Sequence, residues 1–212
     1  MKKNARVLPM ILALMVSCGS VWAAQADTME ISPFLSGLFG GAYEGFVDGY
    51  GFGDISQDDA AFAGLRLSYF SSPYWGMEVT FGAADTAFIF EEDGFLGHEG
   101  EPITDVDLYR IHGAFVFPFG RGQVFPFIDT GAGITIYDMQ DKGYQTKVRF
   151  TASVGTGIRF HFNEHVGLRF DARGYFSFVD ADSWDEDRWD DHDEQEWEVL
   201  PDFEVGAGLI FM

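Results

Sequence analysis

The chain has 212 residues, of which 34 are Asp or Glu and 13 are Lys or Arg, a formal net charge of -21. So few cations cannot assemble a basic surface, which excludes a general affinity for nucleic acid or for anionic lipid head groups. Its 23 Phe and 17% aromatic content exclude an acidic disordered chain, because those rings must be buried or placed in lipid, and with Cys18 alone there is neither a disulfide framework nor a thiolate metal site.

Lys2, Lys3 and Arg6 precede a short apolar run from Val7 to Val16, which leads through small residues to Ala24-Gln25-Ala26. This three-part pattern predicts a secretory signal peptide over residues 1–26, cleaved before Asp27. The run is interrupted by Pro9 and too short to span a bilayer as a helix. Met15-Val16-Ser17-Cys18 is a poor lipoprotein box, so a lipidated Cys18 is the weaker reading. Cleavage removes three cations and makes the mature chain, residues 27–212, more acidic still.

Beyond residue 26 there is no sustained helical stripe. Stretches rich in Phe, Tyr, Val and Ile alternate with polar or small residues at period two, which is a strand signal. Eight strands are predicted: Glu30 to Gly41, Ala60 to Ser71, Gly76 to Phe90, Thr104 to Phe119, Val124 to Asp138, Lys147 to Phe162, Val166 to Asp180, and Val199 to Met212. Each is long for a soluble sheet and long enough for a tilted membrane strand, which needs about nine to eleven residues. Connections alternate in length. Ser72-Pro73-Tyr74, Gly120 to Gln123 and Asn163-Glu164-His165 are tight turns, whereas Ala42 to Asp59, Glu91 to Ile103, Met139 to Thr146 and Ala181 to Glu198 are longer polar loops. Short turns on one rim and long loops on the other make an all-β, eight-stranded antiparallel up-and-down transmembrane β-barrel.

Glu30-Ile31-Ser32-Pro33-Phe34 with Phe39-Gly40-Gly41, Val166 to Tyr175, and the closing Gly206-Ala207-Gly208-Leu209-Ile210-Phe211 resemble the small OmpA/OmpX-type outer-membrane β-barrel family of Gram-negative bacteria. The resemblance covers residues 27–212. It implies export to the cell outer membrane, handling by the outer-membrane assembly machinery, and a surrounding of outer-membrane lipids and lipopolysaccharide. It is nearly silent about activity, because that family serves many roles. One departure is visible: such chains usually end in an aromatic, whereas here Phe211 is followed by Met212.

Parity then assigns faces. A sheet spanning lipid must close and turn apolar side chains outward. That phase sends Leu65, Leu67, Val79, Phe81, Ile111, Phe115, Ile128, Ile134, Val154, Ile158, Leu168, Phe170, Val205 and Leu209 toward lipid. The opposite phase gathers Arg66, Glu78, Arg110, His112, Asp129, Arg149, Arg159, Arg169, Asp171, Arg173 and Glu204 into the interior. Eight strands enclose only enough room for side chains to fill, so this polar set is expected to be a plug. Arg173 with Glu204, and His112 with Asp129, are the expected pairs.

From Asp180 to Glu198, both included, there are eleven acids, interleaved with Trp184, Trp189 and Trp197. Asp180, Asp182 and Trp184-Asp185 resemble a calcium loop superficially, but the glycine such a loop needs is absent at its expected position, Asp185. The segment reads as a solvated acidic loop with tryptophans at the membrane interface, and loose divalent-cation binding there and at Glu91 to Glu101 is a second expectation that names no metal site. Among five histidines, His98 and His192 sit in acidic loops, His165 in a turn, and His112 and His161 point inward at different heights. No nucleophile, base and orienting carboxylate come together in the pattern, so neither catalytic residues nor a cofactor are expected. The chain reads as a monomeric, non-enzymatic barrel with a structural or cell-surface role and no nucleic-acid partner. A small porin or hydrophobic-compound conduit is the alternative. A lipid-modifying enzyme and a soluble periplasmic ligand-binding barrel rank below both.

Overall fold

The computed structural model describes residues 27–47, 51–91, 101–119, 123–140, 146–180 and 197–212. Ten strands form in chain order: β1 (Thr28–Gly40), β2 (Ala42–Val47), β3 (Gly51–Gln57), β4 (Ala60–Ser72), β5 (Trp75–Glu91), β6 (Glu101–Pro118), β7 (Val124–Met139), β8 (Lys147–His161), β9 (Val166–Asp180) and β10 (Trp197–Phe211). Among the described residues no helix forms. Eight of the strands make the ring, each paired antiparallel with its sequence neighbour. The ring closes where β1 meets β10, with Phe34 opposite Gly208 and Leu38 opposite Glu204. Closure leaves the ring without a free edge, the condition for placing a sheet in hydrocarbon.

The two remaining strands correct the expected loop at Ala42 to Asp59. β2 and β3 form a hairpin, Ala42 opposite Ser56 through Val47 opposite Gly51, and β3 runs on alongside β5 with Asp54 opposite Glu91. β2 therefore prolongs β1, and β3 is the upper part of the β4 wall, separated from it by Asp58 and Asp59. Alternation did not reveal it because Gly45, Gly51 and Gly53 dilute the pattern and no single face there is apolar. The expected loop at Glu91 to Ile103 is shortened for a similar reason, since pairing with Phe90 carries β6 back to Glu101.

The tight turns are built from local chemistry. The Asn163 side-chain oxygen accepts hydrogen bonds from the backbone N–H of His165 (2.8 Å) and Val166 (2.9 Å), an Asx turn that reverses the chain between β8 and β9. The N–H of Tyr74 donates to the Ser72 hydroxyl at 3.2 Å in the turn before β5. The turn at 120–122 lies outside the described residues. These turns mark one rim of the ring and the opposite strand ends mark the other; the connections at 48–50, 92–100, 141–145 and 181–196 lie outside the described residues.

Successive side chains alternate strictly between the two faces. The outer face carries the apolar phase, with Val79, Phe81, Ile111, Ile128, Val154, Phe170, Val205 and Leu209 all exposed. Tyr74, Trp75, Phe117 and Phe119 ring its turn end, and Phe39, Tyr109, Phe150, Phe176 and Phe203 its loop end. Two aromatic girdles around an aliphatic belt match a bilayer with its two interfaces. Trp197 forms the start of β10, while Trp184 and Trp189 lie outside the described residues.

The lumen is layered. Near the turn rim Phe70, Val116 and Phe127 pack together. Toward the loop rim a larger cluster gathers Phe34, Leu38, Ile55, Phe62, Phe88, Val106, Leu108, Tyr137, Met139 and Leu200. The charged interior lies between these two apolar layers.

A charge on the outer belt tests the orientation of the faces. Val154, at the middle of β8 and 56% exposed, should tolerate Leu, whereas Val154→Arg should cost about 2–4 kcal/mol, the depth-dependent penalty for a cation at the bilayer midplane. Denaturant unfolding of the lipid-embedded protein measures it, and an unchanged midpoint would mean that this face does not see lipid.

Candidate functional site

Each charged side chain of the lumen sits on a strand whose outward phase is apolar, so burial of the charge is the consequence of lipid on the other side. Of the eleven polar residues expected inside, all but Arg149 are buried. Arg149 holds the inward phase on β8 but is partly exposed, because β8 pairs with β9 only from Thr151 opposite Ser177 onward and its loop end is correspondingly open.

Glu78 on β5 is the hub. Its carboxylate receives Arg169 from β9 in a two-pronged contact, Arg173 from the same strand at 3.1 Å, and the hydroxyl of Ser68 on β4 at 2.9 Å. Arg66 on β4 bridges the next two acids, contacting Asp171 at 2.9 Å and Glu204 at 2.5 Å. Asp171 also lies 3.4 Å from Arg169, and Asp129 on β7 lies 2.9 Å from Arg173. Tyr175 donates to Glu204 at 2.9 Å. The network thus ties β4, β5, β7, β9 and β10 together through the lumen. Its contacts are charge-assisted and several are forked, the geometry in which guanidinium and carboxylate bind best.

Two further pairs flank this belt. Arg110 on β6 grips Asp202 on β10 with both terminal nitrogens, at 3.2 and 2.7 Å, and its Nε donates to Thr135 at 3.1 Å. Thr135, Thr151 and Ser177 continue as a hydroxyl chain at 2.8 and 2.9 Å. Toward the turn rim Arg159 pairs with Glu30, and His161 lies 3.9 Å from the same carboxylate. The guanidinium groups also lie against rings: Arg66 over Phe34 and Arg110 over Tyr175, each at 3.8 Å, Arg159 over Phe70 at 4.3 Å, and Arg169 over Phe127 at 4.7 Å. Such stacking recovers part of the hydration lost on burial.

Both expected pairs are corrected. Arg173 and Glu204 do face each other in the β9–β10 register and share the Tyr175 hydroxyl, at 3.4 and 2.9 Å, but their direct ion pairs go to Glu78 and Asp129 and to Arg66, respectively. In so narrow a lumen an arginine reaches beyond its neighbour to strands farther round the ring, where two or three acids converge. His112 and Asp129 are two same-face steps apart, since His112 is opposite Gly133 and Val116 is opposite Asp129. Distance from an off-centre turn does not give register.

His112 occupies a site made by absent side chains. A Cβ at Gly131 would fall 2.7 Å from its ring and one at Gly133 3.0 Å from it, while the ring of Tyr175 meets it edge-on at 5.6 Å. Neither ring nitrogen has a hydrogen-bond partner among the described residues. The His112 ring fills space in the belt beside Tyr175. His98 and His192 lie outside the described residues, as does most of the acidic segment expected to attract divalent cations. Among the described residues no group of His, Cys, Asp or Glu could hold a metal ion.

Glu30 and Asp202 belong to the network but not to the expected set. Asp202 was within reach, being in phase with Glu204 on the same strand. Glu30 was hidden because the inward phase of β1 continues with Phe34 and Leu38, apolar residues that face the lumen layer near the loop rim.

Truncating one member of this belt leaves its partners buried and unpaired. Arg173→Ala should destabilise by about 3–5 kcal/mol, and an unchanged unfolding midpoint would remove Arg173 from the belt. Gly82→Ala should also destabilise, because a Cβ there would fall 2.2 Å from the Phe62 ring, and in a Phe62→Ala background the same substitution should cost less. Additive effects in that double-mutant cycle would show that glycine and ring do not share one space.

The chain matches the family model described as outer membrane protein beta-barrel domain over residues 10–211. No curated protein matches its sequence. Among solved structures, the outer membrane protein OprG from Pseudomonas aeruginosa is similar with a TM-score of 0.62 at 13% identity, the match covering 88% of this chain and 97% of that one. AlkL, an outer membrane protein solved by solid-state NMR in DMPC bilayers, gives 0.57 at 15% identity over 92% and 94%. Neisserial surface protein A gives 0.52 at 13% identity over 91% and 99%. At such identities these likenesses concern the fold. With its closed ring, apolar outer belt and match over nearly its whole length, the chain belongs to the outer membrane protein β-barrel family of Gram-negative bacteria.

Proposed function

We propose that this protein is a non-enzymatic, plugged barrel whose work lies at the cell surface, where it anchors acidic loops above the outer membrane. The observation that carries this reading is the fully buried set of Arg66, Arg169 and Arg173 against Glu78, Asp129, Asp171 and Glu204. A passing ion would have to break several charge-assisted contacts at once and leave charges unpaired in a medium of low dielectric. The residues that remain free to meet partners are then those of the loop rim. Lipopolysaccharide is one candidate, bridged to the acidic segments by divalent cations. The same reading includes removal of residues 1–26 on export.

A second reading is favoured by one observation, the apolar layer of Leu38, Ile55, Phe88, Val106, Leu108, Met139 and Leu200 at the loop end of the lumen. Such a layer could admit a small hydrophobic compound and so make the barrel a conduit. The Arg110 and Asp202 pair lies in the lumen alongside this layer and would have to be passed.

Planar bilayers separate the readings. The plugged barrel should give no steady open channel and should take up no apolar dye into proteoliposomes, whereas dye uptake without ionic conductance would favour the conduit. Steady ionic conductance by the wild-type protein would overturn the plug. Mass spectrometry of protein extracted from outer membranes should find Asp27 as the first residue, and a chain retaining Met1 would exclude cleavage.

A further inference from the structure

Among the described residues the belt around Glu78 brings together three guanidinium groups, Arg66, Arg169 and Arg173, and four carboxyl groups, Glu78, Asp129, Asp171 and Glu204, all of them buried. The pairs that flank it are balanced, with one arginine to one acid in Arg110 and Asp202 and again in Arg159 and Glu30. The belt is therefore short of one positive charge. Apolar layers on either side keep it apart from both rims. A carboxylate left uncompensated in such a medium is costly.

The contacts single out the acid that is left over. Glu78 receives two arginines and the Ser68 hydroxyl, Asp171 meets Arg66 and Arg169, and Glu204 meets Arg66 and the Tyr175 hydroxyl. Asp129 has Arg173 alone, whose Nε lies 2.9 Å from Oδ1. That contact is out of line for a hydrogen bond, and among the described residues neither oxygen of Asp129 accepts one. Its neighbours across the two ladders are Val116 and Gly155, and a Cβ at Gly155 would fall 2.7 Å from Oδ2, so the carboxyl lies against bare main chain. The next inward residue of β8 is Ser153, opposite Gly131. Its hydroxyl is buried and likewise has no partner among the described residues.

His112 is a poor bearer of the missing charge. An imidazolium has two N–H donors to place, and neither ring nitrogen of His112 has a hydrogen-bond partner among the described residues. We propose that Asp129 is a binding site for one positive charge, a proton or a small monovalent cation, and that the belt is neutral only with that charge in place. A proton makes the carboxyl a donor, and the Ser153 oxygen beside it an acceptor within the same hollow; a cation would draw on the same two oxygens. The inference rests on the plugged reading above, because a lumen open to water and salt would screen the odd charge.

The test uses the full-length barrel in lipid nanodiscs at neutral pH. If the charge is a proton, infrared difference spectra of wild type against Asp129→Asn should show the carbonyl stretch of a protonated carboxyl in the wild type alone. If it is a cation, that band is missing, and exchanging sodium and potassium for choline at fixed ionic strength should lower the wild-type unfolding midpoint and leave Asp129→Asn unmoved. In both cases Asp129→Asn, a neutral side chain of the same shape, should keep its heat-modifiable gel shift and an unfolding constant within about tenfold of wild type. Glu78→Gln should raise that constant by about a hundredfold or more, or prevent folding. A carboxyl band that persists in Asp129→Asn, an imidazolium at His112 in nitrogen NMR, or an Asp129→Asn barrel as damaged as Glu78→Gln would overturn the assignment. So would a wild type with neither the band nor the cation dependence. Steady conductance in planar bilayers is the separate result that would remove the plug itself.

Discussion

The interior of this barrel depends on one interaction, the convergence of Arg66, Arg169 and Arg173 on Glu78 and the acids beside it. The outer face must be apolar because it meets lipid, so the only place for polar residues along the strands is the lumen. Eight strands leave that lumen no wider than its side chains. Charges placed there lose water and must find each other, and removing any one of them strands the others. The network is therefore a condition for the charged sequence to fold in a membrane more than a source of surplus stability.

The layers on either side of the belt follow from the same restriction. Phe70 and Phe127 toward the turn rim, and Phe34, Phe62 and Tyr175 higher in the lumen, present ring faces to guanidinium groups. These rings shield the ion pairs from water and supply a weaker attraction of their own. The glycines beneath His112 make room in a wall that would otherwise be too thick. Space, charge and shape are thus adjusted together across strands distant in sequence: Arg66 and Glu204 are joined although 138 residues separate them.

At the loop rim the restriction lifts. Beyond the bilayer, strands need neither an apolar outward phase nor a complete ladder, and there β2 and β3 extend the wall while Pro201 ends the pairing of β10 with β1. The sequence that follows the strands beyond the bilayer on this side also carries the acidic surplus, and the proposed surface role lies there. An ordered lumen and a permissive rim are two outcomes of one solvent boundary.

The fold was legible in the sequence because lipid imposes a period of two on every spanning strand, and that period sorted the outward Leu, Val, Ile and Phe from the inward Arg, Asp and Glu without knowledge of any partner. Strand ends were legible to within a few residues for the same reason. The hairpin at Ala42 to Gln57 was not, since no apolar phase marks it above the membrane. Partner choice inside the lumen was not legible either. Adjacent register made Arg173 and Glu204 neighbours, but long side chains in a narrow closed ring bond across it, and that depends on the curvature and stagger that only closure creates. By itself the sequence determined which residues face inward and that their charges must cancel. The tertiary structure decided which arginine meets which acid, because proximity across a lumen is set by the ring as a whole.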